Sequence, residues 1–366
     1  MEIAILSDIH FGKRNIDFLN TQLSFFENQF FPHLLDNGIK NVIQLGDIFD
    51  SRKYSLNQML SEVGTRFFHF FNENKINLYV IVGNHDTPLR DNSKHSPLYQ
   101  YKSKYIHIVG NHKTLEFDNN VKVALHSYFN NNNNIKEKAD IGLFHTEFNG
   151  LLMDKRTIVE GKVDLPSTNL FTKIYSGHFH SSPEEIYLNT PMALSFESFG
   201  CKNGFFILNT DDFIKLKENY KLGFIENIIS PKFIKLYFRG RKEIALHNGI
   251  ESNIYSVDEI KTMLYNNIIE LHIEKIPEND KLVLDDLIEH IGKNLEYTYQ
   301  DYLIGNVIAS DEKMESLNLK DDLVDIKEIL DEYIVLNEKE IPLGIDMIKL
   351  KNEFMEIYEE VLTEVK

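Results

Sequence analysis

The 366-residue chain predicts an α/β protein: a two-layered β-sandwich flanked by helices, then a smaller α+β domain and a C-terminal helix-loop-helix. Three observations carry that prediction. The first 85 residues alternate short apolar runs with stretches of helical periodicity. Between residues 106 and 208 the runs shorten into strand-like segments. Beyond residue 320, apolar residues recur at helical spacing in an acidic background.

Ile3-Ala-Ile-Leu6 is an apolar run ending in polar Ser7-Asp8, as a buried strand feeding a loop would read. Residues from about Phe18 to Leu35 carry apolar positions at helical spacing, and Asn37-Gly38 stops them. Val42-Ile-Gln-Leu45 is the next strand, ended by Gly46-Asp47. A second helix is expected from about Leu56 to Phe71, and a third strand at Leu78–Val82, ended by Gly83-Asn84. Strand, helix, strand, helix, strand implies parallel strands with right-handed crossovers. Further strands are expected at Ile106–Val109, Val121–Leu125, Ile141–Phe144, Ile174–Ser176 and Phe205–Leu208, with a solvated loop at Asn130–Asn134. A boundary falls near Thr210. Beyond it come a strand at Phe233–Phe238, helices near Val257–Ile269 and Leu282–Leu295, and two amphipathic helices at Asp321–Leu336 and Ile345–Leu362. The expected domains are therefore 1–210, 211–308 and 309–366.

Composition narrows the function. Hydrophobic residues make up 42% of the chain and aromatics 12%, enough for a packed core. No run of eighteen apolar residues exists, the N-terminal residues do not read as a signal peptide, and the lone Cys201 fits a reducing interior. A soluble, cytoplasmic protein is expected. The net charge of −17 argues against a generic basic nucleic-acid coat. Yet Asp301–Lys366 alone holds 18 acidic and 7 basic side chains. The rest keeps local basic spots at Lys13-Arg14, Arg52-Lys53 and Arg239–Lys242, so a phosphate substrate is compatible with the acidic end.

Metal-binding side-chain types follow successive strands. Asp8 and His10 follow the first, Asp47 the second, and Asn84-His85-Asp86 the third. His145 closes Ile141–Phe144, and Gly177-His178-Phe179-His180 follows Ile174–Ser176. Singly, Asp-x-His also fits a capped turn, Gly-Asp a common turn, and His145 a satisfied core histidine. All five in this order are improbable by accident. Oxygen and imidazole donors without thiolates suit manganese, iron or zinc better than a structural zinc site. In two-metal sites, ions about 3.5–4 Å apart clamp the attacking and leaving oxygens of a displacement at phosphorus.

Asp8-Ile-His10, Gly46-Asp47, Gly83-Asn-His-Asp86, His145 and Gly177-His-Phe-His180 resemble the motif set of the calcineurin-like metallophosphoesterases, and that resemblance implies their fold. The flanks, Asp8–Gly12, Gln44–Phe49 and Val80–Asp86, look like those of SbcD-type DNA double-strand-break-repair nucleases, especially their phage recombination endonuclease subunits. The motifs span residues 1 to about 210. The resemblance implies that Asp8, His10, Asp47 and His180 hold one metal, and that Asp47, Asn84, His145 and His178 hold the other. It implies two manganese ions, with magnesium, iron or zinc as substitutes, and a water activated by the cations as nucleophile. His85 would act on the phosphodiester, and Asp86 would orient His85 or its loop. Many members carry a second catalytic histidine where this chain has Asp50, whereas the phage-type members resemble it there.

The same resemblance implies a DNA nuclease whose C-terminal helices bind an SbcC-like, SMC-type ATPase. Leu323, Ile326, Leu330 and Ile334 line a face of the first helix, which ordinary packing would also explain. A homodimer is expected through the first half, with Phe67–Phe71 as its exposed apolar run. Two alternatives stand beside this reading: a stand-alone phosphatase or nucleotide phosphodiesterase, and a catalytically weak scaffold for the ATPase. Tyr297, Tyr299 and Tyr302 read as surface packing. His33, His69, His95, His107, His112 and His126 lack a motif and receive no role.

Overall fold

Along β1 (Glu2–Leu6), Ile3 and Ile5 face one way and Ala4 and Leu6 the other, and all four are buried. Side chains alternate across a strand, so burial on both faces places β1 between two layers. The computed structural model that shows this describes residues 1–300, except 51–56, 89–92, 131–134, 136–137, 155–156, 161–162, 167–168, 199–200, 239–243, 248–251, 265–266, 274–279 and 292–294. Most of the Asn130–Asn134 run, Arg52-Lys53, Arg239–Lys242, Tyr302 and both C-terminal helices fall outside the described residues.

Asn15 caps α1 (Ile16–Phe25) by accepting the Phe18 backbone N–H. The helix continues through one π-helical turn, Phe26–Phe30, into α2 (Phe31–Asp36), and Gly38 follows in the left-handed conformation. β2 (Asn41–Gln44) comes next. α3 (Asn57–Val63) also passes through a π-helical turn, Gly64–Phe68, into α4 (His69–Glu73). β3 (Asn77–Ile81) and β4 (Ile106–Val109) complete a parallel run from β1 to β4.

A second sheet has the order β5 (His112–Phe117), β6 (Val121–His126), β7 (Ile141–His145), β8 (Lys173–Gly177). β9 (Gly204–Asn209) then returns antiparallel beside β1. After α5 (Thr210–Leu216), β10 (Gly223–Glu226) extends that first sheet beyond Thr210. Between the sheets, Ile3, Ile5, Ile43 and Leu45 pack against Val123, Leu125, Ile141 and Leu143. On the outer face of the first sheet, Ala4, Leu6, Val42 and Val80 pack against Leu19, Leu23, Phe26 and Phe67 from the helices. Each such fully buried aliphatic side chain is worth about 1.5–3 kcal/mol. The structure is the two-layered, helix-flanked sandwich the sequence predicts.

The phenylalanines expected on a dimer surface are part of this core. Phe67, Phe68 and Phe71 are buried, and Phe70 stacks on Phe31 at 3.8 Å. Of the five-residue aromatic run, only His69 is exposed.

The third sheet has β11 (Phe233–Phe238) between β12 (Ile244–His247) and β14 (Ile268–Ile273), with β13 (Ser252–Tyr255) and β15 (Leu295–Gln300) at its edges. α6 (Val257–Leu264) and α7 (Lys281–Ile291) share its core through Ile260, Leu264, Leu284 and Leu287. The helix expected to reach Ile269 therefore stops at Leu264, and Ile268 starts a strand parallel to β11.

Candidate metal centre

Five loops meet at the carboxyl ends of the two packed sheets, the usual place for a site in an open α/β sheet. The loops after β1 and β2 are stitched by backbone hydrogen bonds: Asp8 N–H to Gly46 O, His10 N–H to Asp47 O, and Phe11 N–H to Ile48 O at 2.7 Å. Asp8, His10, Asp47 and His178 all have positive φ, at 46°, 52°, 55° and 89°. Non-glycine residues so placed cost about 1–3 kcal/mol each and cluster at functional sites. Four of the seven residues expected to hold metal are thus held in strained conformations by their surroundings.

Asp86 is the organiser of the β2 loop. Its Oδ2 accepts the N–H groups of Asp47 (2.8 Å) and Gly83 (3.0 Å), and its Oδ1 accepts Phe49 N–H (3.1 Å). Burial, with the charge on Asp47, lifts the Asp86 carboxyl to about 7, against the pull of those donors. Asp47 Oδ1 in turn accepts His85 N–H at 2.8 Å, and both oxygens of Asp8 accept His178 N–H at 3.0 Å.

The donors form two adjoining groups, Asp8–His10–His180 and Asp47–His145–His178, and a third, His10–Asp50–His85, overlaps the first; one ligand atom of each residue lies within 4.8 Å of the others in its group. Asp47 Oδ2 stands between the first two, 3.7 Å from His10 Nε2 and 3.3 Å from His145 Nε2. Asn84 joins the second group, its Oδ1 being 2.9 Å from both His145 Nε2 and His178 Nδ1. Burial would raise Asp47, but the surrounding His145, His10 and His85 hold it far below the usual carboxylate range. Burial lifts Asp8, the charge on Asp47 adding to it against the pull of His145. Burial, helped by the charge of His10, lowers His180 to about 3, so that ring stays neutral.

The outward nitrogens of four of the site histidines are anchored. His145 Nδ1 donates to Leu45 O (2.6 Å), His10 Nδ1 to Asp50 Oδ1 (3.1 Å), His178 Nε2 to Glu147 Oε1 (3.0 Å), and His85 Nδ1 to Asp50 O (2.5 Å). With those anchors set, His10 Nε2, His145 Nε2 and His178 Nδ1 are the ring nitrogens left facing the site. His10 Nε2 is wholly buried and has no hydrogen-bond partner among the described residues. An unsatisfied buried polar atom costs about 1–3 kcal/mol. A divalent cation would satisfy it, and the mixed carboxylate, amide and imidazole donors fit such an ion.

All seven expected metal ligands, with His85 and Asp86, converge here. His10 is flanked by the rings of His85 (5.0 Å between centroids) and His180 (4.5 Å). Among the basic spots, Lys13 Nζ pairs with Asp50 Oδ1 (3.2 Å), while the Arg14 guanidinium lies over the rings of Phe233 and Phe18. His126 is buried on the Phe144 ring away from the site, and Cys201 is half-buried. Sequence reading missed Glu147 altogether, and saw Asp50 only as a departure. No local spacing marks Glu147, because the histidine it pairs with, His178, lies 31 residues away along the chain.

A paired oxygen-and-imidazole site at the strand ends of a helix-flanked sandwich is the arrangement the sequence motifs imply for a metallophosphoesterase. Residues 1–182 match the calcineurin-like phosphoesterase family. Over 225 residues it is 26% identical to exonuclease subunit 1 of Enterobacteria phage T4. That match covers 58% of this chain and 65% of the relative, just under two thirds of its length.

Proposed function

We propose that this protein is a manganese-dependent DNA nuclease subunit that hydrolyses phosphodiester bonds at a two-metal site. The observation that supports it most is the pair of adjoining donor groups with Asp47 Oδ2 between them, and His85 anchored beside them. In this reading Asp8, His10, Asp47 and His180 hold one ion, and Asp47, Asn84, His145 and His178 the other. Bound there, the ions supply Lewis acidity and lower the pKa of water towards neutrality.

The chain's own residues do the rest. Asp47 would be shared between the two positions, its Oδ2 lying between His10 Nε2 and His145 Nε2. The Asp50 carbonyl holds His85 Nδ1–H, which aims Nε2 at the reacting phosphodiester, and the imidazolium gives its Nε2 proton to the leaving oxygen. Asp86 keeps the Asp47 and Gly83 loops in register for both tasks.

Residues 1–210 would be the nuclease domain, 211–308 a DNA-contacting cap, and 309–366 the segment that binds an SMC-type ATPase. The relative's name, exonuclease subunit 1, describes that protein as one subunit of an exonuclease. A homodimer belongs to this reading, through a surface that does not use Phe67, Phe68 or Phe71. The chain would act in solution, since no helix among the described residues is long and apolar enough to cross a membrane.

The test is cleavage of linear double-stranded and single-stranded DNA with Mn²⁺, beside EDTA and His85→Gln controls. Loss of a positioned acid–base group should slow turnover by about 10²–10⁴-fold. Turnover of small phosphate esters but not DNA, with or without the ATPase, would overturn the nuclease reading in favour of a stand-alone phosphatase.

A further inference from the structure

Two carboxylates flank the Asp8–His10–His180 and Asp47–His145–His178 groups, one beside each, and Asp50 also belongs to the overlapping His10–Asp50–His85 group. Asp50 Oδ1 accepts His10 Nδ1–H at 3.1 Å and also takes Lys13 Nζ at 3.2 Å. Glu147 Oε1 accepts His178 Nε2–H at 3.0 Å. Each therefore touches the nitrogen that faces away from the site, on a histidine of a different group. Both have a fixed frame. Asp50 N–H donates to Phe11 O at 3.0 Å, which binds the residue to the strand-like pairing of the β1 and β2 loops. Glu147 follows β7, and its carbonyl accepts Val163 N–H at 3.3 Å.

We infer that Asp50 and Glu147 are positioning residues, Asp50 for the metal held through His10 and Glu147 for the metal held through His178. The inference rests on the two-metal reading of the site and deepens it. An imidazole presents one lone pair, and which nitrogen carries it is decided by the hydrogen bond at the other. A carboxylate at the outer N–H fixes the tautomer, locks the ring plane and makes the inner nitrogen more basic. His10 and His178 depend on this in opposite senses: His10 must ligate through Nε2 and His178 through Nδ1, so the two carboxylates select opposite tautomers. His145 needs no such side chain because Leu45 O does the same work from the backbone.

Asp50 also holds His85, but through its carbonyl, which survives every side-chain substitution. Asp50→Ala thus removes the His10 anchor while leaving the His85 anchor in place.

The experiment is calorimetric titration of Mn²⁺ into the metal-free full-length chain, with thermal melting to confirm that each variant is folded. Wild type should take up two ions. Asp50→Ala should weaken one binding event by about 10–100-fold, and Glu147→Ala the other event by a similar factor. Asp50→Asn and Glu147→Gln keep an acceptor oxygen with little change of shape, so each should recover part of the loss. If the folded variants bind both ions as wild type does, or if both substitutions weaken the same event, the inference is overturned while the two-metal site stands. If wild type takes up no Mn²⁺, the metal-site reading fails, and the assignment of Asp50 and Glu147 fails with it.

Discussion

His145 must satisfy opposite demands with and without a cation. It is fully buried, and burial alone would lower its pKa, but the Asp47 charge beside it wins and lifts it to about 9. In the metal-free protein its Nε2 thus carries a proton, donated towards Asn84 Oδ1 or Asp47 Oδ2. A metal needs that electron pair, so uptake must expel the proton. The sign follows from linkage. The folded pKa lies above the unfolded value of about 6.5, so this stabilisation is complete below about 6.5 and is lost as pH rises through about 9. Asp86, lifted to about 7, acts in the same direction at lower pH. The metal-free protein should therefore melt at a lower temperature at pH 8.5 than at pH 6.5. The rise in melting temperature on adding Mn²⁺ should be larger at pH 8.5, because the ion then displaces fewer protons. A Mn²⁺ shift that is equal or smaller at pH 8.5 would show that His145 is already neutral in the metal-free fold.

At the level of elements, the site depends on how closely the strand-end loops approach. Gly83 leaves β3 against Asp47, and a Cβ there would run into the Asp47 backbone nitrogen and Oδ1. Those are the atoms that Asp86 and His85 hold. Gly83→Ala should cost about 1–3 kcal/mol by overpacking and should weaken Mn²⁺ uptake out of proportion to that loss. Melting curves with and without Mn²⁺ would separate the two effects, and an unaltered Mn²⁺ shift would remove Gly83 from the site's design. Such closeness also explains what was legible in the sequence. Asp8, Asp47, Asn84, His145 and His178 each sit just after an apolar run, and a run of four or five residues is a local signal. Glu147 and the role of Asp50 depend on which ring nitrogen faces outward, which no spacing encodes. The π-helical turns at Phe26–Phe30 and Gly64–Phe68 were equally hidden, since one extra residue per turn leaves the apolar periodicity nearly intact. β5, β10 and β12–β15 went unread because their pairing is settled by distant neighbours: Gly223–Glu226 is a strand only because β9 offers it an edge.

In the molecule as a whole, the third sheet has a core of its own, and Phe233 links it to the sandwich. Ile234, Leu236 and Phe238 face α6 and α7, whereas Phe233 belongs to the helix-side core of the first sheet. Its ring meets Phe196 at 5.1 Å and Phe18 at 6.1 Å, and the Arg14 guanidinium covers it at 4.7 Å. Arg14 lies four residues from His10, so this joint connects the loop after β1 directly to the third sheet. Removing a buried phenylalanine ring costs about 3–5 kcal/mol, and here the loss falls on the contact between two cores more than on either core. Phe233→Ala should therefore uncouple them. Thermal unfolding should separate into two steps, and limited proteolysis should open the chain between Glu226 and Phe233 before either core is lost. Phe238→Ala is the control, because Phe238 lies wholly within the third sheet's core and its loss should lower only that sheet's transition. A single cooperative transition in Phe233→Ala at the wild-type midpoint would mean that the sandwich and the third sheet are held together by contacts other than this aromatic joint.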